Sequence, residues 1–175
     1  MPDGPSGGAS PKPVAARVEQ LLDRWEAAWS GRDAAAFGPL CDPAIQYEDP
    51  VARAPLIGVD ELAAHAARLW RGFPDVRVER AGERLVESAG RFVAAPCKLA
   101  GTHRGQLEGL PPTRRFVVVH AVVWCELRGG RLLRVRTLFD RYDAAVQLGL
   151  LPGSGTLGER ALLMLRGFGL RARGG

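Results

Sequence analysis

Asp140 is the carboxylate best placed in the sequence for proton transfer. It follows the apolar run Leu138-Phe139 at the end of a β-type segment. An apolar pocket raises the pKa of a carboxylate by desolvation, toward the range that general acid–base catalysis uses. The alternative role is structural, because an Asp directly before Arg141 suits the N-cap of a helix. Both roles are compatible, so Asp140 is the first catalytic candidate.

A second candidate carboxylate, Asp49, ends a short segment in the run Tyr47-Glu48-Asp49-Pro50. If this end lies at a pocket mouth, Asp49 and Asp140 together would orient a water molecule, as paired acids do in epoxide opening. Tyr47 is a candidate for substrate binding and for stabilising a developing oxyanion. Because Asp-Pro also favours a turn, a purely structural role for Asp49 stays open.

His120 is the third catalytic candidate, in the middle of the apolar run Val117 to Val123. A neutral imidazole can act as acid, base or hydrogen-bond donor near neutral pH, although a buried core or interface histidine is the alternative. Strand alternation places His120 and Trp124 on one face and Val119 and Val123 on the other. Both faces are apolar, so the sequence leaves open which one faces a pocket.

The other histidines occur in different contexts. His103 ends a strand in a Gly-Thr-His run, where it either lines a pocket mouth or braces the Gly-rich loop that follows. His65 lies near the apolar stripe of a helix, which favours simple packing or solvent exposure. The histidines show no ligand-like spacing, so no metal site is predicted, and no nucleotide-binding glycine motif is present.

Aromatic side chains could supply flat walls for a polycyclic or terpenoid substrate, although core packing is the alternative for each. The candidates for substrate contact are Trp25, Trp29, Trp70 and Trp124. Arg136 alternates with Leu133 and Val135, which favours the solvent or an interface. It is also a candidate for binding an enolate or a carboxylate.

These side chains must be positioned by helices that come first and strands that follow. Apolar periodicity predicts helices over 14–29, 59–73, 141–148 and about 156–168, and Asp33 is expected to cap a short second helix that runs through Phe37 to Leu40. A short strand is predicted over 45–48, after a break at Asp42-Pro43, and longer β-type runs over 76–86, 91–102, 115–127 and 132–139. Tight turns are expected at 88–90 and 128–130, and a longer loop over 103–114.

This order of elements predicts an α+β fold, in which a curved antiparallel sheet wraps around the N-terminal helices. The resulting cone would hold a pocket at its open end. Residues 1–13 are expected to form a flexible leader, 14–152 the domain, and 153–175 a C-terminal helix and a loose tail.

Composition narrows the classes of function. The 175 residues carry 24 Lys and Arg against 19 Asp and Glu, a net charge of +5. The arginines are dispersed and no nucleic-acid reader motif is present, so a nucleic-acid partner is not expected. No run approaches the ~18–20 apolar residues of a membrane span. Cys97 and Cys125 lie in apolar runs and predict buried thiols, which suits a cytoplasmic protein.

Several runs together resemble the SnoaL-like polyketide cyclases, members of the superfamily of nuclear transport factor two-like α+β cones. The resemblance covers Val14 to Pro152, and it rests on Gly101-Thr102-His103-Arg104-Gly105, Gly109-Leu110-Pro111-Pro112-Thr113, Phe139-Asp140 and Gln147-Leu148-Gly149-Leu150-Leu151-Pro152. It implies an acid–base enzyme without a cofactor, usually a homodimer or larger, with an apolar pocket for a hydrophobic small molecule.

The resemblance also implies a base on the last strand, where a carboxylate takes an acidic α-proton to start an aldol ring closure. Asp140 matches the Asp that commonly follows the aromatic residue of that strand. The chain departs from the pattern at Thr137, where many relatives carry an acid, and at Arg114, where the loop usually has Gly.

Three hypotheses of function follow. In the first, Asp140 removes a proton and His120 or Tyr47 stabilises the oxyanion, so that a polyketide is cyclised or isomerised. In the second, Asp49 and Asp140 activate water for epoxide hydrolysis. In the third, the domain binds a small ligand without catalysis, as Thr137 would allow.

Overall fold

A computed structural model describes residues 13–153 and 155–165. These residues form five α-helices: α1 (Val14–Gly31), α2 (Phe37–Leu40), α3 (Val59–Gly72), α4 (Arg141–Gln147) and α5 (Leu157–Leu165). They also form seven β-strands: β1 (Cys41–Glu48), β2 (Leu56–Ile57), β3 (Arg77–Arg80), β4 (Leu85–Val86), β5 (Phe92–Thr102), β6 (Phe116–Arg128) and β7 (Arg131–Phe139). The predicted α+β class is confirmed. The leader up to residue 12 and the tail beyond residue 165 lie outside the described residues.

Helix α1 presents one apolar stripe to the sheet. Its buried residues recur at the three- and four-residue spacing of a single helix face: Val18, Leu21, Leu22, Trp25, Ala28 and Trp29. The helix ends where Arg32 adopts a left-handed conformation with φ 56°. The side chain of Asp33 then accepts hydrogen bonds from the backbone N–H groups of Ala35 and Ala36, as predicted for a cap. This geometry delivers two tryptophans to the core.

The strands form one curved sheet in the order β2-β1-β7-β6-β5-β3, with β4 also paired to β5. Every pairing among these strands is antiparallel except that of β1 with β7, which is parallel and sets Tyr47 beside Val135. Strand β1 begins at Cys41, earlier than predicted. Asp42-Pro43 therefore does not break the chain but falls within a register shift between Cys41 and Gln46.

The predicted strand over 76–86 is two strands, β3 and β4, because residues 81–84 leave the sheet. There the Arg84 guanidinium, fully buried, reaches α1 and donates to the carboxylates of Glu19, Asp23 and Glu26 at 2.7–2.8 Å. A buried guanidinium needs such partners. This ion cluster joins α1 to the segment between β3 and β4.

A tight turn joins β6 to β7, as predicted. Gly129 and Gly130 have φ values of 58° and 77°. Positive φ at both central residues is the requirement of a type I′ hairpin, which glycine meets without strain. The turn brings Val123 opposite Thr137, so the two strands share one concave face.

The two faces of β6 are resolved by burial. Val117, Val119, Ala121 and Val123 are buried against the core, whereas His120 and Val122 are exposed on the opposite, convex face. The alternation predicted from the sequence is therefore confirmed, and the concave face is the one without the histidine.

The loop between β5 and β6 packs against the end of α3. The backbone N–H groups of Arg104 and Gly105 donate to the carbonyl of Gly72, at 2.9 and 3.1 Å. A Cβ atom at Gly105 would collide with the backbone carbonyl of Arg71, so only glycine permits this approach. At the tip, Leu107 and Leu110 exchange two backbone hydrogen bonds. The Gly-Thr-His-Arg-Gly run thus has a structural role in holding this loop.

Helix α4 is attached to β6 by one side chain. The Gln147 amide donates to the carbonyl of Val118 and accepts from its N–H, both at 2.8 Å. Gly149, with φ 77°, then ends the helical region in the left-handed conformation. No helix in the described ranges is long and apolar enough to cross a membrane.

Candidate functional site

A cavity of about 190 Å³ lies between the concave face of the sheet and helices α1 and α3. Its walls are predominantly apolar and include six aromatic rings, those of Trp25, Trp29, Tyr47, Trp70, Phe73 and Phe139. An apolar cavity of ~150 Å³ is already large enough to bind benzene. The space therefore accepts at least one aromatic or alicyclic ring.

Three side chains bring oxygen atoms to this apolar wall: Tyr47 at the end of β1, Asp49 just after it, and Thr137 on β7. The Tyr47 hydroxyl donates to Asp49 Oδ2 at 3.0 Å and lies 3.4 Å from Thr137 Oγ1. The parallel pairing of β1 with β7 brings these strands together across the sheet. The cavity thus has one polar corner in an otherwise apolar surface.

His65 completes this corner from behind. Its Nε2 lies 2.7 Å from Asp49 Oδ2, and the side chains of His65 and Asp49 are only 3% and 4% exposed. His65 lies on the buried stripe of α3, beside Leu62 and Ala66. Of the two alternatives predicted for His65, packing is therefore confirmed and solvent exposure is wrong. The ring is in addition hydrogen-bonded to a buried carboxylate, which the sequence did not indicate.

Asp49 is held as a carboxylate by four hydrogen bonds. Oδ2 accepts from His65 and Tyr47, and Oδ1 accepts from the backbone N–H groups of Val51 and Ala52 at 2.8 and 2.7 Å. Burial by itself raises the pKa of Asp49, but the bond from His65 and the two backbone bonds outweigh burial and lower the pKa below its ordinary value. The predicted turn role of Asp49 is confirmed, and the same residue borders the cavity.

Tyr47 stays a neutral phenol in this corner. Complete burial, and next the negative charge of Asp49, raise the pKa of its hydroxyl well above 10. The neighbouring thiol of Cys97 also lines the cavity, and burial raises its pKa to about 11. Tyr47 is therefore available as a hydrogen-bond donor, and Cys97 is not available as a thiolate nucleophile.

Asp140 does not lie in the cavity, contrary to the prediction. Its carboxylate is exposed and caps α4, where Oδ1 accepts from the backbone N–H groups of Tyr142 and Asp143 at 2.7 and 3.1 Å. The N-cap alternative is confirmed. The physical reason is the strand period of two, since Thr137 points inward and the chain has left the strand by Asp140.

His120 is also outside the cavity. It lies on the convex face of β6, exposed and opposite Lys98 of β5. Trp124, on the same face, stacks on Phe92 with the ring centroids 5.9 Å apart, and Arg136 pairs with Glu48 at 2.7 Å. The predictions that His120, Trp124 and Arg136 contact substrate are therefore not supported by the geometry, whereas Trp25, Trp29 and Trp70 do line the cavity.

His103 braces the loop, which was the structural alternative. It is completely buried, its Nδ1 accepts from the backbone N–H of Thr113 at 3.1 Å, and its ring packs on Phe73 with the centroids 5.2 Å apart. Burial lowers its pKa. His103 is absent from the cavity wall.

The pairing of Asp49 with His65 is not among the interactions predicted from the sequence. The available signal was a histidine within the spacing of Leu62, Ala66 and Leu69, the face that α3 buries. A histidine on a buried helix face needs a polar partner. Within the described residues, no group of three or more His, Cys, Asp and Glu side chains is arranged to hold a metal ion.

Solved structures with the same fold support this architecture. A proposed SnoaL-like polyketide cyclase from Jannaschia sp. CCS1 is 21% identical, with a TM-score of 0.71 over 83% of this chain and 100% of that chain. AclR, a proposed hydroxylase from Streptomyces galilaeus, is 21% identical with a TM-score of 0.68, over 88% of this chain and 94% of its own.

A third structure, from Catenulispora acidiphila, has a ketosteroid isomerase-like fold and was solved with trimethylamine. It is 21% identical with a TM-score of 0.62, over 75% of this chain and 93% of its own. At such identities the likeness establishes the fold alone.

The sequence itself assigns the family. No curated protein matches the chain, but the model of the SnoaL-like polyketide cyclases matches residues 19–148, well over half of the chain. This match agrees with the fold and confirms the resemblance found in the glycine-rich and Gln-Leu-Gly runs. The chain belongs to the family of SnoaL-like polyketide cyclases.

Proposed function

We propose that the protein is a cofactor-independent acid–base enzyme that moves a proton at a carbon next to a carbonyl group of a hydrophobic small molecule. The observation that carries this proposal is the Asp49 carboxylate, nearly buried and yet part of an apolar cavity wall. Family membership supports the reaction class, which is intramolecular aldol cyclisation of a polyketide or a related isomerisation. In this proposal Asp49 takes the role that the sequence had suggested for Asp140.

The reaction begins with a change of partner by Tyr47. In the resting site its hydroxyl donates to Asp49 Oδ2. When a substrate carbonyl binds beside it, the hydroxyl turns to that oxygen and leaves a lone pair of Oδ2 free. Oδ2 then takes the proton from the adjacent carbon, the electron pair of the C–H bond forms a C=C bond, and the π pair of the carbonyl moves onto its oxygen. The resulting enolate accepts a hydrogen bond from Tyr47.

Ring closure returns the site to its starting state. The enolate carbon attacks a second carbonyl of the same molecule, a C–C bond forms, and the alkoxide takes back the proton from Asp49. The walls of Trp25, Trp29 and Trp70 hold the chain folded near its attack geometry. The hydrogen bond from Tyr47 to the enolate offsets the weak basicity of a carboxylate whose pKa is lowered.

The second candidate is a ligand-binding module without catalysis. One observation favours it: all four acceptor positions of Asp49 are filled by protein donors. In this alternative Tyr47 keeps its bond to Asp49, and the carboxylate serves to orient Tyr47 and His65. Epoxide hydrolysis by Asp49 and Asp140 acting together does not fit the geometry, because Asp140 is exposed at the start of α4. Oxygen from labelled water in a product would nevertheless indicate hydrolysis.

Proton exchange tests the proposal without the natural substrate. The probes are 2-tetralone and larger fused-ring aryl ketones, whose α-protons exchange with deuterium in heavy water at a rate measured by NMR. The wild type should accelerate this exchange, and Asp49→Asn should lower the acceleration by about 10²–10⁴-fold, the usual contribution of a general base. Quenching of tryptophan fluorescence reports binding of the same probes to each variant.

Asp140→Asn is the matched control, since it makes the same change at an exposed carboxylate and Asn is an equally good N-cap. It should exchange at the wild-type rate. Equal rates for Asp49→Asn and the wild type would refute Asp49 as base. If the wild type binds the ketones but exchanges their protons no faster than buffer, the binding-module alternative holds.

A further inference from the structure

Arg68 touches the back of the His65 ring, on the side away from Asp49. Its Nη2 lies 3.3 Å from His65 Nδ1. The two residues are three positions apart on α3, which places them on neighbouring turns of the same helix face. The two nitrogens of the imidazole therefore face opposite charges, with Asp49 at Nε2 and Arg68 at Nδ1.

The carboxylate of Asp49 and the guanidinium of Arg68 together decide where the imidazole proton lies. Arginine has five N–H donors and no acceptor, so Nδ1 of His65 must accept. A proton on Nδ1 would face the N–H of Arg68 head to head and would set two positive charges against each other. The single imidazole proton then lies on Nε2, from which it is donated to Asp49 Oδ2 at 2.7 Å.

We propose that Arg68 is a positioning residue that fixes His65 as the neutral tautomer protonated at Nε2. His65 is then a permanent donor to Asp49, and it is not a second base in the site. The inference rests on the proposed function only in so far as Asp49 is the base that this donor orients.

The surroundings of His65 and Arg68 fit this assignment. Asp49 and Tyr47 face the ring from the end of β1, the Tyr47 ring centroid lying 5.8 Å away. Behind Arg68 stands Glu108 of the loop between β5 and β6, at 3.9 Å, which also pairs with the highly exposed Arg53 at 3.4 Å. Glu108 thus holds the guanidinium in place without contacting His65.

The test is ¹⁵N NMR of the imidazole at neutral pH, in protein labelled at histidine and assigned by loss of signals in His65→Gln. In the wild type, Nδ1 of His65 should show the shift of a bare ring nitrogen and Nε2 that of a protonated one. Arg68→Met removes the donors and the positive charge at similar length, so Nδ1 becomes free to take a proton while Nε2 keeps its own, and the Nδ1 signal should move toward the protonated position. Arg68→Lys keeps a donor and should restore the wild-type pattern.

Arg71→Met is the matched control on the same helix, because Arg71 is exposed and lies six positions beyond His65. Its spectrum should equal that of the wild type. A protonated Nδ1 in the wild type would overturn the inference outright. An unchanged His65 spectrum in Arg68→Met would do the same.

The outcomes for the two proposals are separable. Loss of ketone exchange in Asp49→Asn together with an unresponsive tautomer would leave the proposed function standing and remove the role of Arg68. A responsive tautomer with no effect of Asp49→Asn on exchange would do the reverse.

Discussion

The concave and convex faces of the sheet use polar side chains in opposite ways. On the concave face, Tyr47 and Asp49 are buried, bonded to each other and set in an apolar wall. On the convex face, charged residues are accessible to solvent and pair across neighbouring strands, as Arg134 does with Glu126 and Arg136 with Glu48. Residues of the two faces alternate along the same strands, so what distinguishes the two faces is their access to water.

That difference determines what each group contributes. An exposed ion pair gains little, because water screens it and ordering two long side chains costs entropy. A carboxylate shielded from water must find all its hydrogen-bond partners in the protein, as Asp49 does. The ability of the site to do chemistry therefore depends on burial. The candidates that the sequence suggested on the convex face are not enclosed in this way.

The largest difference in stability between the two faces is expected when one leucine is shortened on each side of β7. Leu132 is 0% exposed on the core side and Leu138 is 51% exposed on the convex side. Leu132→Ala should lower the free energy of unfolding by about 2–5 kcal/mol, because it removes buried methyl groups and leaves a cavity. Urea denaturation measures the change.

Leu138→Ala is the control for that change, and it should cost within about 0.5 kcal/mol, as is usual for surface sites. Similar losses for both variants would mean that the convex face is covered in solution, and the contrast between the faces would fail.

Asp49→Asn should come next in size, with a loss of about 1.5–3 kcal/mol of unfolding free energy at neutral pH, the range for hydrogen bonds to a charged group. An amide sets its own N–H groups against the donors that surround Asp49. Asp140→Asn, where an N-cap is replaced by another good N-cap, should change stability little. Parallel urea titrations of the two variants provide the measurement.

The pH dependence of the Asp49 effect has a definite sign. The folded pKa of Asp49 lies below its ordinary value, so its charge stabilises the fold above the unfolded pKa of about 3.9. This contribution is lost as the pH falls through the folded pKa. The gap between the wild type and Asp49→Asn should narrow below about pH 4, and a gap that widens there would contradict the assignment.

The two tyrosines provide a smaller contrast. Tyr47→Phe removes a buried hydroxyl bonded to Asp49 and should cost about 1 kcal/mol. Tyr142, 41% exposed, donates to the carbonyl of Pro152 at the surface, so Tyr142→Phe should cost less. Thermal unfolding compares the variants.

Alkaline titration of the tyrosinate absorbance checks the environment of Tyr47 directly. Because the pKa of Tyr47 lies well above 10, its hydroxyl should resist ionisation until the fold is lost. Ionisation of Tyr47 at the ordinary pH of a free phenol would show that the corner is wet.

The smallest effect is expected on the convex face itself. Arg136→Gln breaks an exposed pair with Glu48 and should cost about 0–1 kcal/mol, a value that salt reduces further. Urea denaturation at low and high ionic strength tests this. A large, salt-insensitive loss would mean that Arg136 is shielded from water.

Local sequence patterns predicted most elements of the fold. The helix from Val14, the turn at Gly129-Gly130 and the loop after His103 depend on neighbours in the chain, so apolar period and glycine placement predicted them. The parallel pairing of β1 with β7 joins Tyr47 to Val135 across most of the domain. No local pattern encodes such a pairing.

The site was only partly predictable for the same reason. Asp49, Tyr47 and the three tryptophans of the cavity were candidates from their residue types. Which face of β6 turns inward was not decidable, because Val118 and Val122 are as apolar as Val119 and Val123. His65 acquires its role only when α3 packs behind β1, so its pairing with Asp49 is a product of tertiary structure.

The amide of Gln147 has a consequence for association between molecules. Strand β6 extends beyond the last residue paired with β7, and the backbone N–H and C=O of Val118 there would be open to a strand from another chain. Such unpaired edges are templates for aggregation. By bonding both groups, Gln147 occupies the two hydrogen-bonding positions that a strand from another chain would need at this point of the edge.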